Sequence, residues 1–485
     1  MIQEKENFTL TNWELVSVNP ADKNWTWKNL FCFWGVNVQT LIFFSLIASF
    51  YILYDLNILI VLSGSVIASL LVFFLSNLIG KPSQKYGLPF PVILRTSMGV
   101  NGARYVALLR GIVGIFMFGV QTFFISKSIG YLIRVFIFII DSNILDESLF
   151  LIFFMGINII DGTALVITLL IQYYLFTKGK YFLKSFISFS AFFVYFGLIL
   201  FLVIIISENF NELTNLLKSY SSIENTVSKK NIFPLLTIVG TMFSYFSIII
   251  VNYGDYSRYV KNEKELNFGN LSLIFNLIIF SFLSVLIVLG ADIILTKNMI
   301  QGEQILTNPT DIIGKMNNTF LTIIALIFIL FSSLSTNLIA NYIPSQNVLL
   351  NLLPKNLSLK SSGFIIVAVA LVIGVLWLPI LSKIGILSIV DTFGAFFGPI
   401  FGIMISDLYL IKNKNLLIKD MFSSKKSSSY FYKNGWHYQG LYSLIIGFIF
   451  SASTIWNPQL NFLQSFAYII GAFVSSITYY LLVSK

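Results

Sequence analysis

Twelve apolar runs dominate this chain, at about 28–52, 57–79, 103–127, 161–177, 185–206, 233–253, 271–295, 319–344, 362–381, 386–410, 438–454 and 462–483. Each is close to the roughly 20 residues that an α-helix needs to cross a bilayer core of about 30 Å. Hydrocarbon offers no water to exposed N–H and C=O groups, so a spanning segment must satisfy its backbone internally, and runs of this length do so as helices. The pattern predicts an all-α integral membrane protein with about twelve transmembrane helices, numbered here span one to span twelve. Composition agrees, since only 11% of the 485 residues are charged and the mean hydropathy is +0.84, against about 25% charged in soluble domains. The apolar segment 148–160 is expected to be a re-entrant piece or an extension of span four.

Span one is interrupted. Within LFCFWGVNVQTLIFF, residues 30–44, Gly35, Asn37 and Gln39 break an otherwise apolar run. An unmet amide or backbone group in hydrocarbon costs several kcal/mol, so such a break persists only where protein or a cavity surrounds it. Three further polar clusters lie inside spans. Met117 and Gln121 in span three are four residues apart and share a helical face, with Gly114 allowing close approach of another helix. Ser244 and Ser247 in span six, preceded by Gly240, are expected to mark a second discontinuous helix. In span eight Ser333, Asn337, Asn341 and Ser345 recur every four residues beside Ser332, Ser335 and Thr336. Ser and Thr in membrane helices often bond only to their own helix or a neighbour. Asn and Gln are costlier to bury, so Gln39, Gln121, Asn337 and Asn341 together favour a binding site, of the kind that discontinuous spans build at the membrane midplane.

Loop charge sets the expected orientation. Lys81, Lys85, Arg95 and Arg104 fall between spans two and three, Lys178, Lys180 and Lys184 between spans four and five, and Lys412, Lys414, Lys419, Lys425, Lys426 and Lys433 between spans ten and eleven. Asp141, Asp146, Glu147, Glu208 and Glu212 fall on the other side. The positive-inside bias then places both termini in the cytoplasm. It also accounts for the net charge of +10 without a nucleic-acid partner. Residues 1–26 are polar and mixed in charge rather than signal-like, so span one is expected to do the targeting. With one His and one Cys, no His/Cys metal cluster, disulfide framework or Cys/His nucleophile pair can be built. Cys32 reads as a packing residue and His437 as a solvated loop residue. The lack of an intramembrane His argues against a membrane-embedded enzyme, and the lack of a long soluble domain against a substrate-sensing receptor.

The motifs YGLPFPVILRTSMGVNGARYVALLRG (86–111), FGVQTFF (118–124), NYGDYSRYVK (252–261), STNLIANYI (335–343) and FGPIFGIMISDLYLIKNK (397–414) occur in register. In them the chain resembles the nucleobase:cation symporter-1 family, which includes bacterial hydantoin and allantoin permeases. The resemblance implies the leucine-transporter-type fold, a 5+5 inverted repeat with two peripheral helices. Its divisions would be a cytoplasmic segment 1–27, a core 28–410 made of repeats at about 28–206 and 233–410, a cytoplasmic loop 411–437 and the peripheral helices at 438–485. It implies a substrate site at Gln39, Met117, Gln121, Phe246 and Asn341. It also implies a sodium site made of the carbonyls of Gly35, Val38 and Ser332 and the hydroxyls of Ser335 and Thr336, with an unwound stretch near Gly35 freeing the carbonyls.

Amides suit such a pocket because each offers donors and an acceptor to the alternating edge of a ureide or nucleobase. Relatives generally place Trp where Met117 and Phe246 stand, and none of the seven Trp here (13, 25, 27, 34, 377, 436 and 456) is expected to replace them. Phe246 can still stack and Met117 can offer its sulfur to a ring. The expected function is import of a neutral planar nitrogenous molecule of nucleobase, hydantoin or allantoin type by cation symport, with sodium as the ion and no organic cofactor. The expected partners are that small molecule and the lipid bilayer, with no obligatory protein partner. Alternatives are a proton-coupled transporter, for which Asp391 in span ten is the first carrier candidate, and a transporter of a cationic, thiamine-like substrate, although no acid lies at the implied site.

Overall fold

A computed structural model describes residues 10–54, 58–146, 152–220, 232–297, 319–377 and 386–484. Among these residues there is no β-strand, only isolated bridges such as Trp25 with Val260. Eleven described helices are long and apolar enough to cross a membrane, and a bent pair in span one is a candidate for a twelfth crossing. Several helices outrun their apolar cores: span three runs Gly102–Ile140, span five Lys180–Tyr220 and span seven Glu263–Lys297. Hydropathy marks only the part of a helix within lipid, so it under-reads such ends.

Span one consists of Trp27–Val38 and Leu41–Tyr54, bent by 60° between them. The break falls at Gln39 and Thr40. Gln39 leaves helical geometry at ψ 49°, and Thr40 restarts the helix as an N-cap, its Oγ1 accepting the Phe43 N–H at 2.8 Å. Gly35 stays helical, its carbonyl accepting the Gln39 N–H at 2.9 Å, so the expected unwinding lies four residues further on. Gly35 serves packing instead: a Cβ there would stand 3.0 Å from Asn276 Oδ1 of span seven and 3.6 Å from Ala191 Cβ of span five.

Span six, Ile232–Val251, is one uninterrupted helix, contrary to the expected discontinuity. Its polar residues reach sideways: Ser244 Oγ donates to Ser465 O at 3.3 Å and Thr241 Oγ1 lies 3.2 Å from Ser465 Oγ. Gly240 admits the same segment, since a Cβ would meet Ser465 at 2.7 Å. Span eight continues from Thr319–Thr336 through a π-helical stretch, Asn337–Tyr342, into Ile343–Leu352. Span ten, Ile386–Ile405, ends likewise in a π-helical stretch, Ser406–Ile411. Such stretches are rare and are concentrated at functional sites. In the described part of 148–160, Phe154 and Ile157 pair across a tight turn with Met155 and Gly156 at positive φ. Asn158 then caps span four, whose helix begins at Ile159, so the segment extends that span by its last two residues while 152–158 form the turn and cap before it.

Span one packs on spans five and seven, span three on spans four, eight and nine, and span ten on spans six, eleven and twelve. The end carrying the basic loops is built rather than solvated. Between spans two and three, Phe90–Ile93 and Arg95–Met98 are buried helical turns. The Arg95 guanidinium, expected in a loop, is fully buried and donates to Met421 O at 2.8 Å and Asn351 Oδ1 at 2.7 Å. His437, expected to be solvated, is buried too: its Nδ1 lies 2.8 Å from Ser97 O and its ring stacks on Tyr432 at 4.0 Å. Nearby, Asp407 accepts hydrogen bonds from Thr96 and Tyr479 and an ion pair from Lys412. The segment before span one straps this end, with Trp25 N donating to Tyr259 O at 3.0 Å and Asn12 Nδ2 to Pro354 O at 3.0 Å. Cys32 is buried, as its packing role requires.

Candidate functional site

The helix break brings span one against span eight. Thr336 Oγ1 donates to Val36 O at 2.7 Å, and Ser332 Oγ donates to Gln39 O. Ser335 Oγ and Thr336 Oγ1 both lie within reach of Ser332 O, at 2.9 and 3.0 Å. Of the groups expected to hold sodium, Thr336 and Ser332 meet span one here, through the carbonyls of Val36 and Gln39 rather than Val38, and Ser335 bonds within span eight. Gly35 is one turn before this junction. The carbonyls of Val38 and Gly35 each accept one backbone N–H, from Thr40 at 2.8 Å and Gln39 at 2.9 Å, and each keeps a second lone pair. Neutral carbonyl and hydroxyl oxygens at the C-terminal, negative end of a half-helix suit a hard monovalent cation.

Thr40 also fastens the break to span six, its hydroxyl lying 2.8 Å from Tyr245 Oη. A narrow crevice between spans one, five, seven and eight reaches this junction, touching Gln39, Thr40 and Ser332 and otherwise lined by groups such as Leu198, Phe201 and Phe280.

The expected substrate residues are all buried, with Phe246 0%, Gln39 2%, Gln121 3%, Asn341 3% and Met117 8% exposed. At that burial a ligand can enter only after helices move. Gln121 and Asn341 are brought together, Asn341 Nδ2 donating to Gln121 Oε1 at 3.0 Å. Gly114 permits that approach, as a Cβ there would stand 2.2 Å from Ser345 Oγ and 3.2 Å from Asn341 O. Gln39 is held from span five, its Nε2 donating to Ala191 O at 3.2 Å. Gln39 Oε1 and Gln121 Nε2 are buried without a hydrogen-bond partner among the described residues. An unpaired buried amide atom costs about 1–3 kcal/mol, and a bound ligand would relieve that cost.

Phe246 stands among aromatic rings, edge-on to Phe43 at 5.6 Å, Tyr245 at 5.2 Å and Trp34 at 6.4 Å. Trp34 thus lies beside Phe246, one of the two positions where the resemblance implied Trp. It does not replace that Trp, because its ring stacks on Tyr253 at 5.3 Å and its Nε1 donates to Asn270 Oδ1 at 3.1 Å.

Sequence reasoning left Gln172 and Thr122 unmarked. Thr122 Oγ1 lies 2.9 Å from Gln172 Oε1 and 3.2 Å from Asn337 Nδ2, which extends the amide cluster into span four. The signal was present: a lone Gln inside span four is as costly to bury as Gln121. Arg110 was likewise missed. It is fully buried and ties span three to spans six and eight, through Asn252 Oδ1 at 2.8 Å and Ala340 O at 2.6 Å. The side chain of Asp391 lies outside the described residues.

Comparison with known proteins is consistent with this geometry. A family model described as "Permease for cytosine/purines, uracil, thiamine, allantoin" matches residues 17–471. The allantoin permease of Bacillus subtilis (strain 168) is 24% identical over 482 residues, covering 99% of this chain and 94% of its own. Among solved structures, the nucleobase-cation-symport-1 family transporter Mhp1, closed with bromovinylhydantoin bound, aligns with a TM-score of 0.73 at 17% identity, covering 98% of this chain and 95% of that one. A Na+-coupled sialic acid symporter in a substrate-bound outward-open state aligns with a TM-score of 0.64 at 13% identity, covering 99% and 92%. These likenesses show the leucine-transporter-type fold.

Proposed function

From the premise that this chain belongs to the family of permeases for cytosine/purines, uracil, thiamine and allantoin, we propose that it imports a neutral planar nitrogenous molecule of nucleobase, hydantoin or allantoin type by sodium symport. It is a multi-pass membrane transporter, and its relatives are permeases, not enzymes. The observation that carries the substrate reading is the set of buried amides, in which Gln39 Oε1 and Gln121 Nε2 await partners. In this reading Gln39, Gln121 and Asn341 hold the ligand's edge, and Phe246 and Met117 its faces. The coupling ion is held by the carbonyls of Gly35, Val38 and Ser332 and the hydroxyls of Ser335 and Thr336.

Transport then runs by alternating access. The cation joins the end of the first half of span one to span eight, the ligand completes the amide cluster, and the helices close over both. The two repeats, at about 28–206 and 233–410, are the bodies that move, and the helices of 438–485 stay peripheral. Both termini lie in the cytoplasm of a cell whose plasma or inner membrane holds the protein.

Purified protein should be screened by thermal shift against nucleobases, hydantoin and allantoin, with and without sodium. Stabilisation by one of these rings, larger with sodium present, is the expected result. A protein indifferent to all of them would overturn the substrate class. One stabilised equally in sodium and in potassium would overturn the coupling ion.

A further inference from the structure

We propose that Asn337, without touching the ligand, sets the donor and acceptor polarity of the pocket, and that the pocket consequently takes a urea edge, N–H, C=O, N–H. The inference rests on the permease reading, with Gln39, Gln121 and Asn341 facing one ligand.

An amide side chain is nearly symmetrical in shape and can present either end. A main-chain carbonyl cannot reverse. Asn337 Nδ2 donates to Phe118 O of span three at 3.2 Å and to Thr122 Oγ1 at 3.2 Å. Turning this amide over would set its oxygen against the Phe118 oxygen, lone pair to lone pair. Asn337 must therefore show Oδ1 to its neighbour in span eight, and Asn341 Nδ2 donates to it at 2.9 Å. The same Asn341 Nδ2 donates to Gln121 Oε1 at 3.0 Å.

Two atoms are left facing away from this chain, Asn341 Oδ1 as an acceptor and Gln121 Nε2 as a donor. The Gln121 donor is buried without a partner. Gln39 is polarised in the same way from elsewhere. Its Nε2 donates to the main-chain Ala191 O at 3.2 Å, and its Oε1 is left buried as a second free acceptor.

The three groups therefore offer two acceptors and one donor. With the Gln121 donor at the ligand's C=O and one acceptor on either side of it, a ligand that satisfies all three presents N–H, C=O, N–H in that order. Uracil and hydantoin carry that sequence in the ring, as N–H, C=O, N–H. Cytosine has the same ring size, but the nitrogen beyond its carbonyl bears no hydrogen, so one protein acceptor would face a lone pair. Sites built to hydrogen-bond a group discriminate strongly against analogues that leave buried atoms unmet.

The test compares binding of uracil and cytosine to the purified full-length protein by calorimetry, with thermal melting of each sample to verify folding. Wild type should favour uracil by roughly ten- to hundredfold. Asn337→Leu removes the anchor, frees Asn341 and Gln121 to turn over, and should collapse that ratio toward unity. Thr122→Val leaves the Phe118 carbonyl in place and should keep the ratio, an outcome that general loosening of the pocket would not give. A folded Asn337→Leu protein with the wild-type ratio would overturn the role of Asn337. The wild-type measurement needs no variant: cytosine bound as tightly as uracil would overturn the urea edge while leaving the permease reading intact. Wild-type protein that binds none of uracil, hydantoin and allantoin would overturn both.

Discussion

Truncating Gln121 removes a buried amide whose Oε1 holds Asn341 at 3.0 Å and whose Nε2 has no protein partner. If the proposed pocket is the binding site, Gln121→Ala should weaken binding of uracil or allantoin by about 1–3 kcal/mol, because ligand and amides would lose a partner in a desolvated site. Titration calorimetry on folded protein reads this, and unchanged affinity would place the pocket elsewhere. His437 offers a second test at this scale. Burial holds its imidazole below the ordinary value of 6.5, against the opposing pull of the Ser97 carbonyl and Asp407, while Lys412 lowers it further. The neutral ring is the form the fold accepts, so its contribution to stability is complete above pH 6.5 and is lost as pH falls toward the depressed folded value. Melting temperature should drop on acidification below 6.5, and His437→Gln should flatten that part of the profile relative to wild type. An identical profile in the variant would show that other groups govern the acid limb. Neither the burial of His437 nor that of Arg95 was legible in the sequence, where both sit among loop charges. Each is enclosed by segments hundreds of residues away, such as Ser97 for His437 and Met421 for Arg95.

The two halves of span one meet span eight through hydroxyls and carbonyls, and this junction is where coupling should be testable. Ser335→Ala with Thr336→Ala removes two of the five proposed ligand oxygens and also the Thr336 bond to Val36 O at 2.7 Å. The double variant should lose most of its sodium dependence, read as uptake into proteoliposomes at varied sodium, while still folding. Uptake that keeps its full sodium dependence would remove these hydroxyls from the coordination shell. The sequence announced an interrupted span one through Gly35, Asn37 and Gln39, yet the interruption falls at Gln39 and Thr40, because Thr40 caps the second half. It announced a break in span six as well, and there the helix continues. Serines after a glycine look alike whether the backbone unwinds or a neighbour packs closely. Only the position of Ser465 against Gly240 distinguishes the two.

For the whole molecule, the loop charges predict that the basic end faces the cytoplasm. Lys180→Cys and Ile418→Cys, introduced singly while the native Cys32 stays buried, should resist impermeant thiol reagents in intact cells and react after permeabilisation. Labelling of both from outside would invert the topology. By itself the sequence determined the helical membrane class, the twelve crossings and the family motifs, because apolar run length and local motif order are properties of contiguous residues. It also pointed to Gln39, Gln121 and Asn341, because burying an amide in lipid is costly wherever it occurs. Tertiary structure alone decided which way those amides point, where span one breaks and which basic groups are solvated. The amide directions and the burial of Arg95 depend on particular main-chain carbonyls, such as Phe118 O, Ala191 O or Met421 O, meeting a side chain more than a hundred residues distant. No local pattern encodes such a meeting.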